Sequence, residues 1–300
     1  MNSQRHYTAA ISAFIMWGFF SIPLRALREY SAGEILYFRI ALSLLVLLVV
    51  ISLFRKSSIA PTIAAFRALP PNKKVAVSAL TLVGGALLTV NWLTFIYIVN
   101  NINVKTASFS YLICPVITAA LGVVLIRESM TRLQWIAVLL CTISCILIGL
   151  NSALELGYSF LTALTYALYL ISQRKNQGFD RMIVLCIQVC FSLILLSAIF
   201  PLLVAEVPVS GKFYGLIFLI AVLFTVVPLF LNLYALNRIN SATIGILMYI
   251  NPIINFTVAF VVFKESITAL QFLGYVIIFV AVILFNLPYL KRFRDSVSVK

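Results

Sequence analysis

Apolar runs of roughly 20 residues, each long enough to cross a bilayer as a helix, recur from one end of this chain to the other. A chain of 300 residues can bury one or two globular cores but not this many uninterrupted runs, so lipid must cover them. A window of about 19 residues places spans near 8–25, 35–54, 75–98, 106–126, 133–150, 155–173, 182–204, 213–236, 242–263 and 269–289. Hydrophobic residues make up 63% of the chain and charged residues 10%, where a soluble domain has about half and a quarter. The first run, behind Arg5, is long enough to span and lacks a clear small-residue cleavage site, so it reads as a retained helix and not a signal peptide. The expected fold is an all-α integral membrane bundle of ten transmembrane helices.

The net charge of +14 does not point to nucleic acid, because the basic residues stand at the ends of apolar runs and form no basic surface interleaved with aromatics. Their distribution sets an orientation instead. With the N-terminus inside, the inward links and termini hold sixteen Lys and Arg and the outward links five, so both termini are expected in the cytoplasm. The longest link, about Arg55 to Lys74, carries Pro61, Pro70, Pro71 and five of the basic residues. Cys114, Cys141, Cys145, Cys186 and Cys190 lie inside apolar runs, without a CxxC and with one His in the whole chain. They are expected as free, buried thiols rather than metal ligands, with Cys141, Cys145 and Gly149 forming a small-residue contact stripe.

The chain repeats itself. Asn100, Ile102, Asn103, Thr106, Ile113, Pro115, Ile117, Glu128, Ser129, Thr131, Leu133 and Gln134 recur 137 positions later, without a shift, as Asn237, Ile239, Asn240, Thr243, Ile250, Pro252, Ile254, Glu265, Ser266, Thr268, Leu270 and Gln271. Earlier in each half Trp17 and Arg25 can be set against Tyr166 and Arg174. Five spans per copy is an odd number, so the second copy enters from the opposite side. The expected organisation is therefore two inverted five-helix repeats, 1–150 and 151–300, the arrangement that lets one central site face either side in turn. Glu128 and Glu265 read as helix N-terminal caps rather than a proton relay.

These residues carry a family resemblance. Trp17-Gly18 with Arg25, Glu34-Ile35-Leu36 before Arg39, Asn91-Trp92 through Asn100-Asn101, and Ala107-Ser108 through Tyr111 to Pro115 resemble the EamA permeases of the drug/metabolite transporter superfamily, most closely their RarD branch. Glu128, Gln134-Trp135, Thr225-Val226-Val227-Pro228, and Thr243 through Gly245, Tyr249-Ile250 and Pro252 to Glu265 extend the likeness over nearly all ten spans. The resemblance implies a ten-helix bundle around a central cavity, with cytoplasmic termini, that moves small metabolites, amino acids or drugs. Two positions depart from the branch: Cys114 where an Asn is expected before the proline, and Thr106 where an acid is common.

Arg39, about one turn inside the second span, is the leading candidate for substrate binding, since an arginine at membrane depth is costly unless paired or wetted; the alternative is snorkelling outward beside Glu34. Asn91 and Trp92 sit near mid-membrane, where an amide either lines a cavity or joins helices. Ser108, Tyr111, Pro115 and Thr118 form one polar, proline-interrupted face of the fourth span, matched in the ninth by Gly245, Tyr249, Pro252 and Asn255 or Phe256, with Pro115 and Pro252 as helix breaks or packing kinks. Trp17, Tyr166, Tyr169, Gln188 and Asn232 are further cavity candidates. No Walker A, HExxH or GxSxG is present, so the chain reads as a non-enzyme without cofactor or metal.

The expectation is a secondary transporter of the bacterial cytoplasmic membrane. It exports or exchanges a small solute through a cavity lined by the first, third, fourth, sixth, eighth and ninth spans. Arg39 attracts an anionic group, and the aromatic faces of Trp17, Trp92, Tyr111 and Tyr249 hold the rest. An uptake permease and a non-transporting structural or regulatory subunit are the rival readings. Partners are a small-molecule substrate and the lipid bilayer, as a monomer or weak homodimer. Proton or ion coupling stays open, because no acid stands at mid-depth to carry it.

Overall fold

The computed structural model describes residues 2–127, 130–176, 178–236, 239, 244 and 247–298. The helices are α1 (Asn2–Gly18), α2 (Ser21–Arg25), α3 (Ala32–Phe54), α4 (Lys56–Arg67), α5 (Pro71–Tyr97), α6 (Val104–Ile126) and α7 (Arg132–Asn151). They continue as α8 (Ala153–Lys175), α9 (Arg181–Ala198), α10 (Phe200–Leu203), α11 (Gly211–Ala221), α12 (Val227–Leu236), α13 (Ile250–Val261) and α14 (Ala269–Ser298). Among the described residues nine helical stretches are long and apolar enough to cross a bilayer, and Ile250–Val261 is a shorter apolar helix where the ninth span is expected. Glu128, Asn237, Asn240, Thr243 and Gly245, on which part of the repeat and of the ninth-span polar face rests, lie outside the described residues.

Short polar side chains start several of the helices. Ser31 accepts from Glu34 N–H while Glu34 accepts from Ser31 N–H, a reciprocal cap on α3. Thr131 and Gln134 do the same for α7, and Asp180 caps α9 through Met182 and Ile183 N–H. The first span breaks at Gly18 and resumes as α2, because Pro23 has no N–H to offer Phe19. Gly18 also meets α13: a Cβ there would stand 2.6 Å from Cβ of Ile254. The long link after the second span is not all coil. It forms α4, which buries no residue, with Ile59 against the core and Phe66 against Phe179.

The third and eighth spans each contain a wider, π-helical turn, at Ile98–Ile102 and Val222–Val226. The neighbours also come in matching sets: α5 and α6 pack on α8, while α12 and α13 pack on α1; α3 packs on α9, α6 on α13, and α7 on α14. Ser144 on α7 donates to Gly274 O on α14 at 2.7 Å, where the glycine lets the two helices close. Large apolar side chains such as Leu53, Leu139, Ile194, Phe218 and Ile283 remain exposed on the outer surface, as expected of a bundle whose solvent is hydrocarbon. Cys114, Cys141 and Cys186 are buried and Cys145 half-buried, but Cys190 is exposed, against expectation. It falls in register with the exposed Ile187 and Ile194 on the outward stripe of α9.

Candidate functional site

The eighth span positions the site by failing to be a regular helix. Pro228 cannot donate to Phe224 O, four residues earlier, and the chain widens into the π-helical turn there, a feature that often marks functional positions. The freed carbonyl of Phe224 accepts the indole N–H of Trp17 at 3.1 Å. Thr225, in the same turn, accepts from Nε of Arg39 at 3.1 Å and donates to Ile220 O.

Arg39 is 3% exposed. It does not snorkel toward Glu34, which is held in the α3 cap. The guanidinium stands 4.8 Å from the Phe20 ring centroid and 4.7 Å from that of Trp92, within range of a cation–π attraction on each. The hydrogen-bonding edge of the guanidinium is only partly used. Nη1 is buried there without a partner among the described residues, as are the hydroxyls of Ser43, one turn deeper on α3, and Ser21, beside Phe20. A buried cation whose N–H is unanswered is costly, and groups of this kind mark where water, an ion or a ligand belongs.

Aromatic rings lead away from Arg39 across five spans. Phe20 stacks on Phe224 and Phe95, Phe95 meets Tyr111 edge-on at 5.3 Å, Tyr111 meets Tyr166 at 5.6 Å, and Tyr166 stacks on Tyr169 at 5.8 Å. Asn91 is fully buried beneath this row. Its Nδ2 donates to Thr162 O at 2.8 Å and its Oδ1 accepts from the Tyr111 hydroxyl at 3.2 Å, so the amide joins α5, α8 and α6.

The structure thus brings together Arg39, Trp92, Tyr111, Tyr169 and Asn91 from the expected set. Trp92 differs in one respect: its ring faces the Arg39 guanidinium and is an anchor for the cation more than a free surface. Tyr249 belongs to an apolar cluster with Phe109, Ile113 and Tyr275, on which Tyr166 of the row also packs. Asn232 is half-buried on α12 with Oδ1 unpartnered among the described residues. Pro115 sits inside the continuous α6, whereas Pro252 sits in the first turn of α13, after a turn at Met248 and Tyr249. Ser108 and Thr118 donate back to carbonyls of their own helix, Val104 O and Cys114 O, and leave no free hydroxyl hydrogen for a solute. Gln188 is fully buried against Gly84 with neither end of its amide partnered among the described residues.

Sequence reasoning missed Phe20 and Ser21 as site residues and used Thr225 only as a motif member. The Thr-Val-Val-Pro string was a usable signal, since a proline four residues after Phe224 predicts the bare carbonyl that Trp17 takes. A separate crevice of about 690 Å³ opens where α1 begins, between Gln4, Arg5, Thr8 and Ser12 on α1 and Phe230 and Tyr234 on α12; no residue of the Arg39 cluster lines it.

Helices of membrane-spanning length around a buried arginine and a row of aromatics define a multi-pass helical membrane protein with a polar interior. Residues 5–150 and 154–287 each match the EamA-like transporter family. An uncharacterized transporter of Vibrio cholerae serotype O1 is 30% identical over 97% of this chain and 94% of its own length. The uncharacterized transporter YojE of Bacillus subtilis (strain 168) is 28% identical over 97% and 96%, and protein RarD of Escherichia coli (strain K12) is 28% identical over 92% of each. A solved structure titled only as the crystal structure of a protein superposes with a TM-score of 0.64 at 12% identity, over 94% of this chain and 97% of that one, a likeness of fold alone. The chain belongs to the EamA-like transporter family and is RarD-like within it. It is a multi-pass bacterial membrane transporter and not an enzyme.

Proposed function

We propose that the protein is a secondary transporter that exports or exchanges a small metabolite or drug-like solute by alternating access, between two inverted repeats, with both termini in the cytoplasm. The observation that carries the solute site is Arg39, enclosed by Phe20 and Trp92 and anchored on Thr225, with Nη1 unanswered. The unanswered Nη1 of a guanidinium suits a carboxylate or a similar planar or tetrahedral anion. The row from Phe95 through Tyr111 to Tyr169 then offers rings to an apolar or aromatic remainder. Relative to the sequence expectation, Trp17 holds the Phe224 carbonyl beside the Thr225 anchor, Trp92 serves the cation, and Phe20 joins it.

The repeat reading is supported by the two successive ranges over which the family matches. It is supported again by the paired packing, in which the first and sixth spans hold equivalent neighbours, and by equal Thr–Gln caps at Thr131–Gln134 and Thr268–Gln271. Alternating access needs two such equivalent halves.

The test begins with a thermal-stability screen of the purified protein against amino acids, nucleosides, organic acids and antibiotics, since a bound ligand raises apparent stability. A hit is then followed as flux into liposomes. Saturable flux that Arg39→Ala suppresses, while the variant keeps its melting temperature, is the expected result. Saturable flux indifferent to Arg39→Ala removes the residue from the site, and no flux for any stabilising solute favours a structural or regulatory subunit.

A further inference from the structure

At the end of the bundle where the first span finishes, one carboxylate ties three distant segments. Glu265 Oε1 accepts from Arg25 Nη2 at 2.9 Å and from Val104 N–H at 2.7 Å, and Oε2 accepts from Lys105 N–H at 2.9 Å. Glu265 is therefore a helix cap, but of α6, 160 residues earlier, and not of its own α14, which Thr268 and Gln271 cap. Lys105 reaches back with Nζ to Ser266 O at 2.6 Å and Gln271 Oε1 at 3.3 Å. Arg25 also donates to Asn100 O at 3.4 Å and lies over the Phe263 ring.

The turn that presents Glu265 closes the preceding helix through a left-handed residue. Lys264, directly before Glu265, has φ 53°, the left-handed region that a lysine rarely occupies. The other non-glycine residue with positive φ among those described is Arg127, at φ 60°, directly before Glu128. The two stand 137 positions apart, the same step that relates the two copies in sequence. Each closes a helix: Arg127 N–H bonds Gly122 O, and Glu265 N–H, just after Lys264, bonds Ala259 O, so the two turns are built alike at equivalent places.

We infer that Glu265 is the keystone of a gate: its carboxylate clasps the first span, the start of the fourth and the ninth-to-tenth link, and must let go before this end of the bundle can open. The inference rests on the alternating-access reading above. By the repeat, Glu128 and Arg174 are the residues assigned to the opposite end. Unlike the Arg39 cluster, the clasp is internally paired: both Glu265 oxygens are occupied, and Arg25 and Lys105 each have two acceptors. It governs which face is open and not what is bound.

The experiment needs no solute. In a variant whose native cysteines are replaced, Ser108→Cys places a reporter one turn below the clasp, at a position fully buried in α6. Membrane-impermeant maleimide is applied to either face of sealed vesicles. Glu265→Gln, and the milder Arg25→Gln that keeps both backbone caps, should raise labelling from the face at this end about tenfold without raising it from the other, as a shift in a two-state equilibrium requires. Lys264→Gly, which suits the left-handed turn better than lysine and keeps the carboxylate, should lower it. Labelling unchanged in all three variants, or raised equally from both faces, overturns the gate. Flux in liposomes judges the transport reading separately: one-sided labelling without flux leaves a gate in a protein that is not a carrier, and flux without one-sided labelling leaves a carrier gated elsewhere.

Discussion

The Glu265 cluster and the Arg39 cluster are both charged and both sheltered, yet they are completed to different degrees. Glu265 has donors on both oxygens, from Arg25 and from two backbone N–H groups. Arg39 has one bond, from Nε to Thr225, and two aromatic faces, with Nη1 and the nearby Ser43 and Ser21 hydroxyls unanswered among the described residues. A satisfied polar network rigidifies and chooses a conformation, whereas an unsatisfied one stores a desolvation cost that a ligand can lift. The difference separates a cluster that holds shape from the one proposed to hold cargo.

That contrast can be broken most sharply at Arg39. Arg39→Ala should lower flux of a stabilising solute by about tenfold to a hundredfold, in line with about 1.5–3 kcal/mol for bonds to a charged group. Arg39→Lys should recover little of it, because an ammonium lacks the planar fork. Gly18→Val tests packing without touching either cluster: its side chain would meet Ile254, and thermal unfolding in detergent should show a loss of about 1–3 kcal/mol. Thr225→Val removes the anchor of Nε; it should weaken solute affinity several-fold and, by leaving a buried guanidinium N–H unanswered, lower stability in thermal unfolding by about 1–3 kcal/mol.

Asn91 sharpens the comparison from the opposite side. Asn91→Leu loses bonds to Thr162 O and the Tyr111 hydroxyl, so stability should fall by about 0.6–1.7 kcal/mol while solute affinity is retained. A fall in affinity at constant stability would move Asn91 into the cargo site. The smallest expected effect is Trp17→Phe, which forfeits one bond to Phe224 O, about 0.6 kcal/mol of stability as read by thermal unfolding.

Most of the membrane-spanning segments were legible in the sequence, because hydropathy is a local sum and a span declares itself within about 20 residues. The observed spans begin and end within a few residues of the expected ones, apart from the ninth, described as a helix only over Ile250–Val261. The break in the first span and α4 were not foreseen: the break depends on where Pro23 falls within an apolar run, and α4 forms across Pro61, a residue that argues against a helix interior. Arg39 was visible as an anomaly of depth, because a charge inside an apolar run is costly wherever it points.

The sequence by itself therefore determined that lipid would be the solvent, where the chain would cross it, which stretch is written twice, and that Arg39 required a partner. Only the tertiary structure decided what those partners are. Phe20, Trp92 and Thr225 reach Arg39 from the first, third and eighth spans, and Glu265 caps a helix that begins at Val104. The reason is physical: burial and helix formation are set by neighbours along the chain, whereas a hydrogen bond to a buried charge is set by which helices pack side by side, and in lipid that choice falls to small residues and close contacts such as Gly18 on Ile254.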